Sequence, residues 1–297
     1  MDTEALKGHV QTVLHRVGLE AQKAPPYVGR RYRYRRDRDV AKALGPALMA
    51  PERWPAVPEP PYPDGDLARI FMATPGLHKW LHYIPAYEAA LGGLRHRRLR
   101  MLEIGVDRGG SLDAWSRYFG PEATIVGIDI NPWCAQFDDP AHGRHVRIGG
   151  QQDPVFLHSV VDELGPFDVI LDDGSHRPAH MNASFRHLFD AGLAPNGLYL
   201  VEDLQTNYWL GFRDAKVSFV DLAAGLVDEM HAQYHGVTSE TAFRVGHPDR
   251  QPSFEVPRIT KLVHSVVFFD SIVVIRKADG TRPLPASVYT GDSPTAV

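Results

Sequence analysis

From about residue 66 onward, short apolar runs alternate with stretches of helical spacing, and this alternation constrains the fold more than any other feature. The apolar runs, rich in β-branched residues, lie at 100–106, 124–130, 145–150, 167–173 and 197–204. The helical stretches between them fall near residues 110–119, 153–164, 179–192 and 215–235. A strand that is apolar along its whole length is buried on both faces. The pattern therefore predicts an α/β fold with a mostly parallel sheet and helices on both faces.

The C-terminal part of this region breaks the alternation. The segment KLVHSVVFFDSIVVIRK, residues 261–277, contains two β-rich runs on either side of Asp270 and Ser271. Two runs joined by so short a connection form a hairpin, so the last strand is expected to be antiparallel to the others. Upstream of the first strand, residues 78–94 have helical spacing, with Pro85 as a local irregularity.

The two ends of the chain differ from this central region. Residues 4–21 show helical spacing, and residues 51–63, PERWPAVPEPPYP, are dense in proline, which is typical of an extended linker. We therefore predict three parts: a small helical and extended N-terminal appendage with its linker (1–66), a main domain (67–280) and a flexible tail (281–297).

Composition narrows the class of partner. The formal net charge is −4, and a single cysteine, Cys134, excludes an internal disulfide framework. The start of the chain lacks a signal-peptide pattern, and no apolar run approaches the roughly 20 residues that a membrane span needs. These features predict a cytoplasmic protein whose partner is neither a membrane nor a nucleic acid.

One basic segment runs against the overall charge: GRRYRYRRDR, residues 29–38, has tyrosines between its arginines. Such a segment can contact phosphates, which keeps an RNA methyltransferase as an alternative. It is more typical of a solvated arm or of a contact between subunits. Together with the N-terminal helix and linker, it leads us to expect a homo-oligomer.

The segment LEIGVDRGGSLDAW, residues 102–115, indicates a strand, a glycine-rich turn and a helix. Glycines allow a ligand to approach the main chain, and a helix N-terminus presents free N–H groups. The acid before the first glycine, Glu103, favours a ligand with a cationic group over a pyrophosphate. Asp129 ends the next strand, where an acid can bind both hydroxyls of a ribose. The alternative is a tight turn that binds no ligand.

Two pairs of acids follow the fourth and fifth predicted strands. Asp172 and Asp173 end one strand, with His176 three residues later, and Glu202 and Asp203 end the next. Neighbouring parallel strands are about 4.8 Å apart, so these carboxylates are expected to crowd together. Like charges at that range raise one another's pKa, and a hard divalent cation such as Mg²⁺ removes the conflict. Helix capping and ion pairs with arginines are the alternatives.

Together these motifs carry a resemblance to a known family. From about residue 69 to 277, the chain resembles the class I S-adenosylmethionine-dependent methyltransferases, which have a Rossmann-like sheet; the resemblance rests on EIGVDRGGS, GIDI, the strand-end DD and the terminal hairpin. More narrowly, it is similar to metal-dependent O-methyltransferases of macrolide sugars, the mycinamicin 2''-O-methyltransferase type. The segments that carry this narrower resemblance are HKWLHYIPAYE, EIGVDRGGSLDAW, GGQQD, ILDDGSH, YLVEDLQTNYW and FFDSIVVIRK.

The resemblance implies two cofactors, S-adenosylmethionine and Mg²⁺. The residues implied to contact S-adenosylmethionine are Glu103, Gly105, Gly109 and Ser111 near its methionine end, Asp129 at the ribose, Gln152 and Asp153 at the adenine, and also Asp172, Tyr83 and Lys79. The implied metal ligands are Asp173, Glu202 and Asp203. His176 is the implied general base, with Asp173 as a second catalytic residue. A histidine suits that role because its pKa lies near neutrality.

The activity that follows is a Mg²⁺-dependent transfer of a methyl group from S-adenosylmethionine to a sugar hydroxyl of a glycosylated natural product or saccharide. Tyr208 and Trp209 offer ring faces for such an acceptor, or else belong to the core. The proline-containing loop within 236–258 is placed where it could select substrate. A catechol-type methyltransferase, a relative of the cephalosporin hydroxylases and a non-catalytic protein of the same fold are the alternatives. A hydrolase built on Ser175 is disfavoured, because no G-x-S-x-G motif surrounds it.

Overall fold

The structure is a computed structural model, and it describes residues 38–56 and 63–290. The helix predicted over 4–21 and almost all of the basic segment 29–38 lie outside the described residues. So does the middle of the proline-rich segment 51–63. Among the described helices, none combines the length and the apolar character that crossing a membrane requires.

The described residues form one sheet with the strand order β3-β2-β1-β4-β5-β7-β6. The strands are β1 (Arg100–Ile104), β2 (Thr124–Asp129), β3 (Arg144–Ile148), β4 (Phe167–Asp172), β5 (Leu193–Val201), β6 (Val263–Phe269) and β7 (Ile272–Lys277). All pairs from β3 across to β5 are parallel, whereas β7 is antiparallel to both of its neighbours. The predicted mostly parallel sheet with an antiparallel last strand is confirmed.

The described α-helices are α1 (Arg38–Leu48, interrupted at Gly45), α2 (Asp66–Met72), α3 (Tyr83–Leu91), α4 (Gly110–Phe119), α5 (Pro154–Leu164), α6 (Pro178–His187), α7 (Phe219–Glu229) and α8 (Arg258–Leu262). Helices α2 to α8 cover both faces of the sheet, as predicted. Local sequence sets several of the starts. Ser218 and Asp221 form a capping box at α7, and Pro154 and Pro178 occupy the first helical position, where a missing N–H is harmless.

The core consists of two apolar layers, one on each face of the sheet. Successive strand residues point to opposite layers: Met101 of β1 joins the layer beneath α2, α3 and α4, and Leu102 joins the layer beneath α5, α6 and α7. Trp115 of α4 is fully buried in the first layer, and Phe185 of α6 is buried in the second. Burying a side chain of this size contributes about 1.5–3 kcal/mol. Together these layers hold the strand ends in fixed register.

The strand order creates a crevice at the carboxyl end of the sheet. From β1 the chain proceeds to β2 and β3 on one side, and it returns to β4 and β5 on the other side. Ligands of open α/β sheets bind where the order reverses in this way. The residues that directly follow β1, β2, β4 and β5 therefore surround one space.

The predicted helix over 78–94 starts later than expected, at Tyr83. Pro85 lies in its first turn, where proline is tolerated, so the apparent irregularity marks a helix start. Residues 76–82 are consequently free of helix, and they run along the glycine-rich turn that follows β1. This path brings Lys79 into the crevice.

The predicted loose tail is tied down over part of its length. Ser287 donates its main-chain N–H to the carbonyl of Phe243, and Val245 donates to the carbonyl of Ser287. Main-chain pairing thus joins the tail at Ser287 to residues 243–245, and the flexibility of residues 281–297 stays a prediction. Residues 291–297 lie outside the described part of the chain.

Candidate active site

A cleft of ≈ 420 Å³ opens at the carboxyl ends of β1, β2, β4 and β5. Its size suits a small-molecule ligand. The predicted site residues that line it are Lys79, Gly105, Ser111, Asp129, Gln152, Asp173, His176, Glu202 and Asp203. One space thus contains residues that the sequence assigned to a cofactor and residues that it assigned to a metal ion.

The turn after β1 approaches the end of β4 very closely. An ideal Cβ on Gly105 would lie 2.2 Å from the carbonyl oxygen of Asp173, and the residue has a φ of +97°. Both facts require glycine here. The close approach fixes the distance between the cofactor turn and the acids that follow β4.

The same turn orients the acid at the end of β2. The main-chain N–H groups of Val106 and Asp107 donate to Oδ2 of Asp129 at 2.8 and 3.2 Å, and that of Asn131 donates to Oδ1 at 2.8 Å. A carboxylate held by several N–H groups keeps one orientation. Asp129 is therefore fixed at the cleft wall with acceptor capacity that a ribose could use.

Glu103 is fully buried behind the cleft wall. Its carboxylate accepts hydrogen bonds from the hydroxyl of Ser111 at 2.7 Å and from the indole N–H of Trp115 at 3.3 Å. Burial raises the pKa of Glu103, while Lys79 opposes that change. The acid is thus placed between the helix that follows the turn and an ammonium group.

Lys79 is the cation among these acids. Its Nζ lies 2.5 Å from Oδ2 of Asp173, 3.0 Å from Oε1 of Glu202 and 3.6 Å from Oε1 of Glu103. The side chain is 2% exposed. Burial alone would lower the pKa of Lys79, but the carboxylates outweigh it and the pKa is raised well above its usual range.

Glu202 is held from two sides. It accepts from Lys79 and from the hydroxyl of Tyr87, and it is 2% exposed. Burial, followed by the negative charge of Asp173, raises its pKa well above the usual range. The carboxylates of Asp173 and Glu202 therefore lie close together, as expected for residues that follow adjacent strands, and the cation that they share is the ammonium of Lys79.

Asp173, His176 and Asp203 form a second, more accessible group. One potential ligand atom from each of the three lies within 4.8 Å of the other two. Nε2 of His176 is 3.5 Å from Oδ2 of Asp203 and 3.9 Å from Oδ1 of Asp173. The hydroxyl of Tyr83 donates to Oδ1 of Asp203 at 2.6 Å. Two carboxylates and an imidazole in this arrangement offer ligands to a divalent cation.

Main-chain strain marks the same place. His176 and Asp203 have φ values of 55° and 56°, in the left-handed region that few residues other than glycine adopt. Such conformations cost about 1–3 kcal/mol each and gather at functional sites. Nε2 of His176 is the nitrogen that faces the acids. The other ring nitrogen, Nδ1, is buried and has no hydrogen-bond partner among the described residues.

Comparison with known proteins reveals clear relatives, although no family model matches the chain. It is 36% identical over 237 residues to 8-demethyl-8-(2-methoxy-alpha-L-rhamnosyl)-tetracenomycin-C 3'-O-methyltransferase of Streptomyces olivaceus. This match covers 74% of the chain and 56% of the relative. Mycinamicin VI 2''-O-methyltransferase of Micromonospora griseorubida is 32% identical over 222 residues, which are 68% of the chain and 51% of that relative.

The solved structure of the MycE methyltransferase from the mycinamycin pathway, in complex with Mg and SAH, matches with a TM-score of 0.61 and 26% identity. The match covers 79% of this chain and 58% of that chain. The chain has the class I methyltransferase fold, and its relatives are sugar O-methyltransferases of natural-product pathways. The predicted resemblance and fold class are thereby confirmed. The chain spans about half the length of the curated relatives that it matches.

Within this methyltransferase fold, five of the predicted cofactor contacts do not line the cleft: Glu103, Gly109, Tyr83, Asp153 and Asp172. Three of them have other partners in the fold. Gly109 leaves room for the ring of Phe137, and Tyr83 supports Asp203. Asp153 caps α5, accepting from the N–H groups of Val155 and Phe156.

Asp172 is a fully buried support of the wall. It accepts hydrogen bonds from Ser184 and Gln151 and from the main-chain N–H of Gly174. Burial raises the pKa of Asp172, and Ser184 opposes the change. A buried carboxylate with its acceptors filled stiffens the loop after β4. This loop carries both Asp173 and His176.

Gln151 and His180 are among the cleft residues that were missed from the sequence. Gln151 donates to Asp172 and accepts from the N–H of Ser175 at 2.7 Å, so it joins the loops after β3 and β4. His180 lines the cleft, with Nδ1 2.9 Å from Oγ of Ser175. Gln151 lies in the quoted GGQQD motif, but no local pattern distinguishes it from its neighbour Gln152. No described residue of 236–258 lines the cleft, so the structure lends no support to substrate selection by that loop.

Proposed function

We propose that this protein transfers a methyl group from S-adenosylmethionine to a sugar hydroxyl of a glycosylated natural product or saccharide, with Mg²⁺ as a second cofactor. One observation carries the proposal: a single cleft joins Asp129, beside the glycine-rich turn, to the group formed by Asp173, His176 and Asp203. The tetracenomycin rhamnosyl and mycinamicin relatives are named as sugar O-methyltransferases, which supports the same acceptor class.

The cleft suits S-adenosylmethionine in charge and in shape. Asp129 is fixed by main-chain N–H groups and faces the cleft, so it can accept from both ribose hydroxyls. Gln152 lines the cleft just beyond β3, where it can contact the adenine. Acids near the turn favour a cofactor that carries a positively charged sulfonium. No pyrophosphate would be stable beside Glu103 and Asp173.

The acids also suit a hard divalent cation. Asp173 and Asp203 expose carboxylate oxygens to the cleft, and Glu202 lies next to Asp173 in its buried position. We assign the metal to these three acids, with His176 close enough to be a fourth neighbour. When bound, Mg²⁺ supplies Lewis acidity that stabilises the developing negative charge on a reacting hydroxyl.

His176 is proposed to take the proton from the acceptor hydroxyl at Nε2. That atom faces the cleft, and the carboxylate of Asp203 lies 3.5 Å away, where it stabilises the imidazolium that forms. Tyr83 keeps Asp203 in this orientation, and its own proton is retained because burial and Asp203 raise the pKa of the phenol. Asp203 thus serves as an acceptor throughout.

Apolar side chains beside the acids suit a sugar attached to an apolar aglycone. Trp80 and Ile130 line the cleft and remain 46% and 70% exposed. The ring of Phe212 lies 6.3 Å from the ring of His176 and 6.0 Å from the ring of Trp209. Ring faces bind the C–H surfaces of sugars, so these side chains offer contacts to an acceptor held near His176.

Three measurements test this function. Isothermal titration should show binding of S-adenosylhomocysteine with and without Mg²⁺. Turnover should appear with at least one member of a panel of rhamnosylated and other deoxysugar glycosides, and EDTA should abolish turnover while cofactor binding persists. Full activity in EDTA would refute the metal role, and failure to bind the cofactor would refute the whole proposal.

A histidine variant tests the base. His176→Ala should reduce kcat by about 100-fold or more, with unchanged affinity for S-adenosylhomocysteine. His264→Ala is the matched control, because His264 is exposed on β6 and does not line the cleft. A His176→Ala enzyme with the wild-type kcat and pH profile would remove His176 from the mechanism.

A further inference from the structure

We propose that Lys79 is the internal counter-ion of the acid cluster, and that a divalent cation displaces its ammonium group when it binds. The cluster consists of Glu103, Asp173 and Glu202, the three acids that Lys79 contacts. This inference rests on the proposed function, because it concerns the metal site of the same cleft.

The first argument is the charge of the cluster. Three carboxylates, one from β1 and two from the segments that directly follow β4 and β5, lie within 3.6 Å of one Nζ atom, and two of them are almost fully buried. Without a cation, like charges at this range would repel strongly in a poorly solvated place. The ammonium therefore stabilises the cluster when no metal ion is bound.

The second argument is competition for the same oxygens. The ammonium of Lys79 donates hydrogen bonds to Asp173 and Glu202, and the carboxylate of Glu103 lies 3.6 Å away as a third ion-pair partner. Mg²⁺ needs carboxylate oxygens at about 2.0–2.1 Å in near-octahedral geometry. A metal ion bound to Asp173 and Glu202 would lie against the ammonium, and the two cations would repel each other. One of them must leave.

The third argument is the place of Lys79 in the chain. The segment 76–82 has no helix and lies over the glycine-rich turn, with the main chain of Gly76 and Leu77 packed on Gly110. Lys79 itself lines the cleft. Its flexible four-carbon stem can therefore swing the ammonium into the open cleft while the main chain stays in place. Displacement needs no rearrangement of the sheet.

Amine labelling of the wild-type protein tests this directly, with MgCl₂ alone as the probe. A lysine-acylating reagent followed by peptide mass spectrometry should find Lys79 protected without Mg²⁺, and several-fold more reactive at saturating Mg²⁺. Lys277 is the buried reference, because its Nζ donates to the carbonyls of Asp190 and Leu193, and it should stay protected throughout. Lys261 is exposed and should react in both states.

Two variants test the competition. Lys79→Met should bind Mg²⁺ about tenfold more tightly or better by calorimetry, because no ammonium opposes the ion. Lys277→Met should leave Mg²⁺ affinity unchanged. Equal or weaker binding by Lys79→Met would overturn the proposal, as would full protection of Lys79 in wild-type protein saturated with Mg²⁺. If Lys79→Met does not fold, the labelling result decides.

Failure of the proposed function would look different. Wild-type protein that binds S-adenosylhomocysteine but shows no heat of Mg²⁺ binding would refute the metal role, and with it the displacement. Wild-type protein that binds Mg²⁺ while Lys79 stays protected would refute the displacement alone. The two failures are therefore separated by one titration and one labelling experiment.

Discussion

Gly110→Ala should destabilise the protein, although alanine is the better helix former. Gly110 is the first residue of α4, and an ideal Cβ there would lie 2.4 Å from the main-chain nitrogen of Leu77 and 2.5 Å from the carbonyl carbon of Gly76. Main-chain atoms cannot rotate away, so the segment 76–82 must shift. Overpacking of this kind costs about 1–3 kcal/mol, which exceeds the gain of up to ~1 kcal/mol from helix propensity.

Gly225→Ala provides the matched control. Gly225 lies inside α7, and an added Cβ would meet no atom within 4 Å. Only the higher helix propensity of alanine acts there, without a steric clash, so this variant should be stabilised by about 0.5–1 kcal/mol. The same substitution in two helices is therefore expected to have opposite signs.

Thermal and chemical denaturation measure both effects. For a chain of this size, 1 kcal/mol shifts Tm by roughly 2–4 °C. Gly110→Ala should therefore lower Tm by a few degrees, and Gly225→Ala should raise it slightly. Gly110→Ala should also expose Lys79 to the acylating reagent without Mg²⁺. If both variants raised Tm and Lys79 stayed protected, the packing of residues 76–77 on the turn would be refuted.

Two further predictions follow from particular contacts. Asp153→Ala should reduce stability by about 1 kcal/mol through loss of the cap of α5, while Asp153→Asn should retain most of it; neither should change affinity for S-adenosylhomocysteine, and a large loss of affinity in titration would restore Asp153 as an adenine contact. Burial, together with the charge of Asp129, raises the pKa of the Cys134 thiol to about 11. Because its usual value is 9.0, the folded protein holds about 100-fold less thiolate at pH 8, and iodoacetamide should label Cys134 slowly unless denaturant is present.

The fold was predictable because strands buried on both faces and helices buried on one face leave different apolar patterns in the sequence. Runs such as 100–106 and 167–173 are mostly apolar, so they identified strands, and the turn at Asp270 identified the hairpin. Strand ends were less accurate. β5 spans Leu193–Val201, so the predicted run at 197–204 begins in the middle of the strand and extends past its end. Glu202 and Asp203 therefore follow the strand and do not belong to it.

The positions of the site residues were predictable where those residues directly follow a strand. Asp173, Glu202 and Asp203 lie within two residues of a strand end, and the sheet places them together whatever the loops do. Lys79 could be assigned only weakly, because its position depends on how residues 76–77 pack on Gly110. Asp153 was assigned to the cofactor although Asp-Pro before an apolar stretch is also a helix-start signal.

Three predictions concern properties other than these contacts. The three-part division at residues 66 and 280, the homo-oligomeric state and the cytoplasmic location stay predictions from the sequence. Light scattering of the purified chain would measure the oligomeric state.

The left-handed main chain at His176 and Asp203 has a consequence for engineering. Glycine at position 176 would relieve about 1–3 kcal/mol of main-chain strain, which exceeds its entropic cost of roughly 0.5–1 kcal/mol, so His176→Gly is expected to raise Tm. At position 203 glycine would relieve similar strain, but it would lose the hydrogen bonds that Asp203 accepts from Tyr83 and Gln205. A programme that selected variants on heat resistance alone would therefore be drawn to His176, which we assign to the reaction. Any such screen needs an activity assay as well, because the more stable variant would lack a residue that we assign to catalysis.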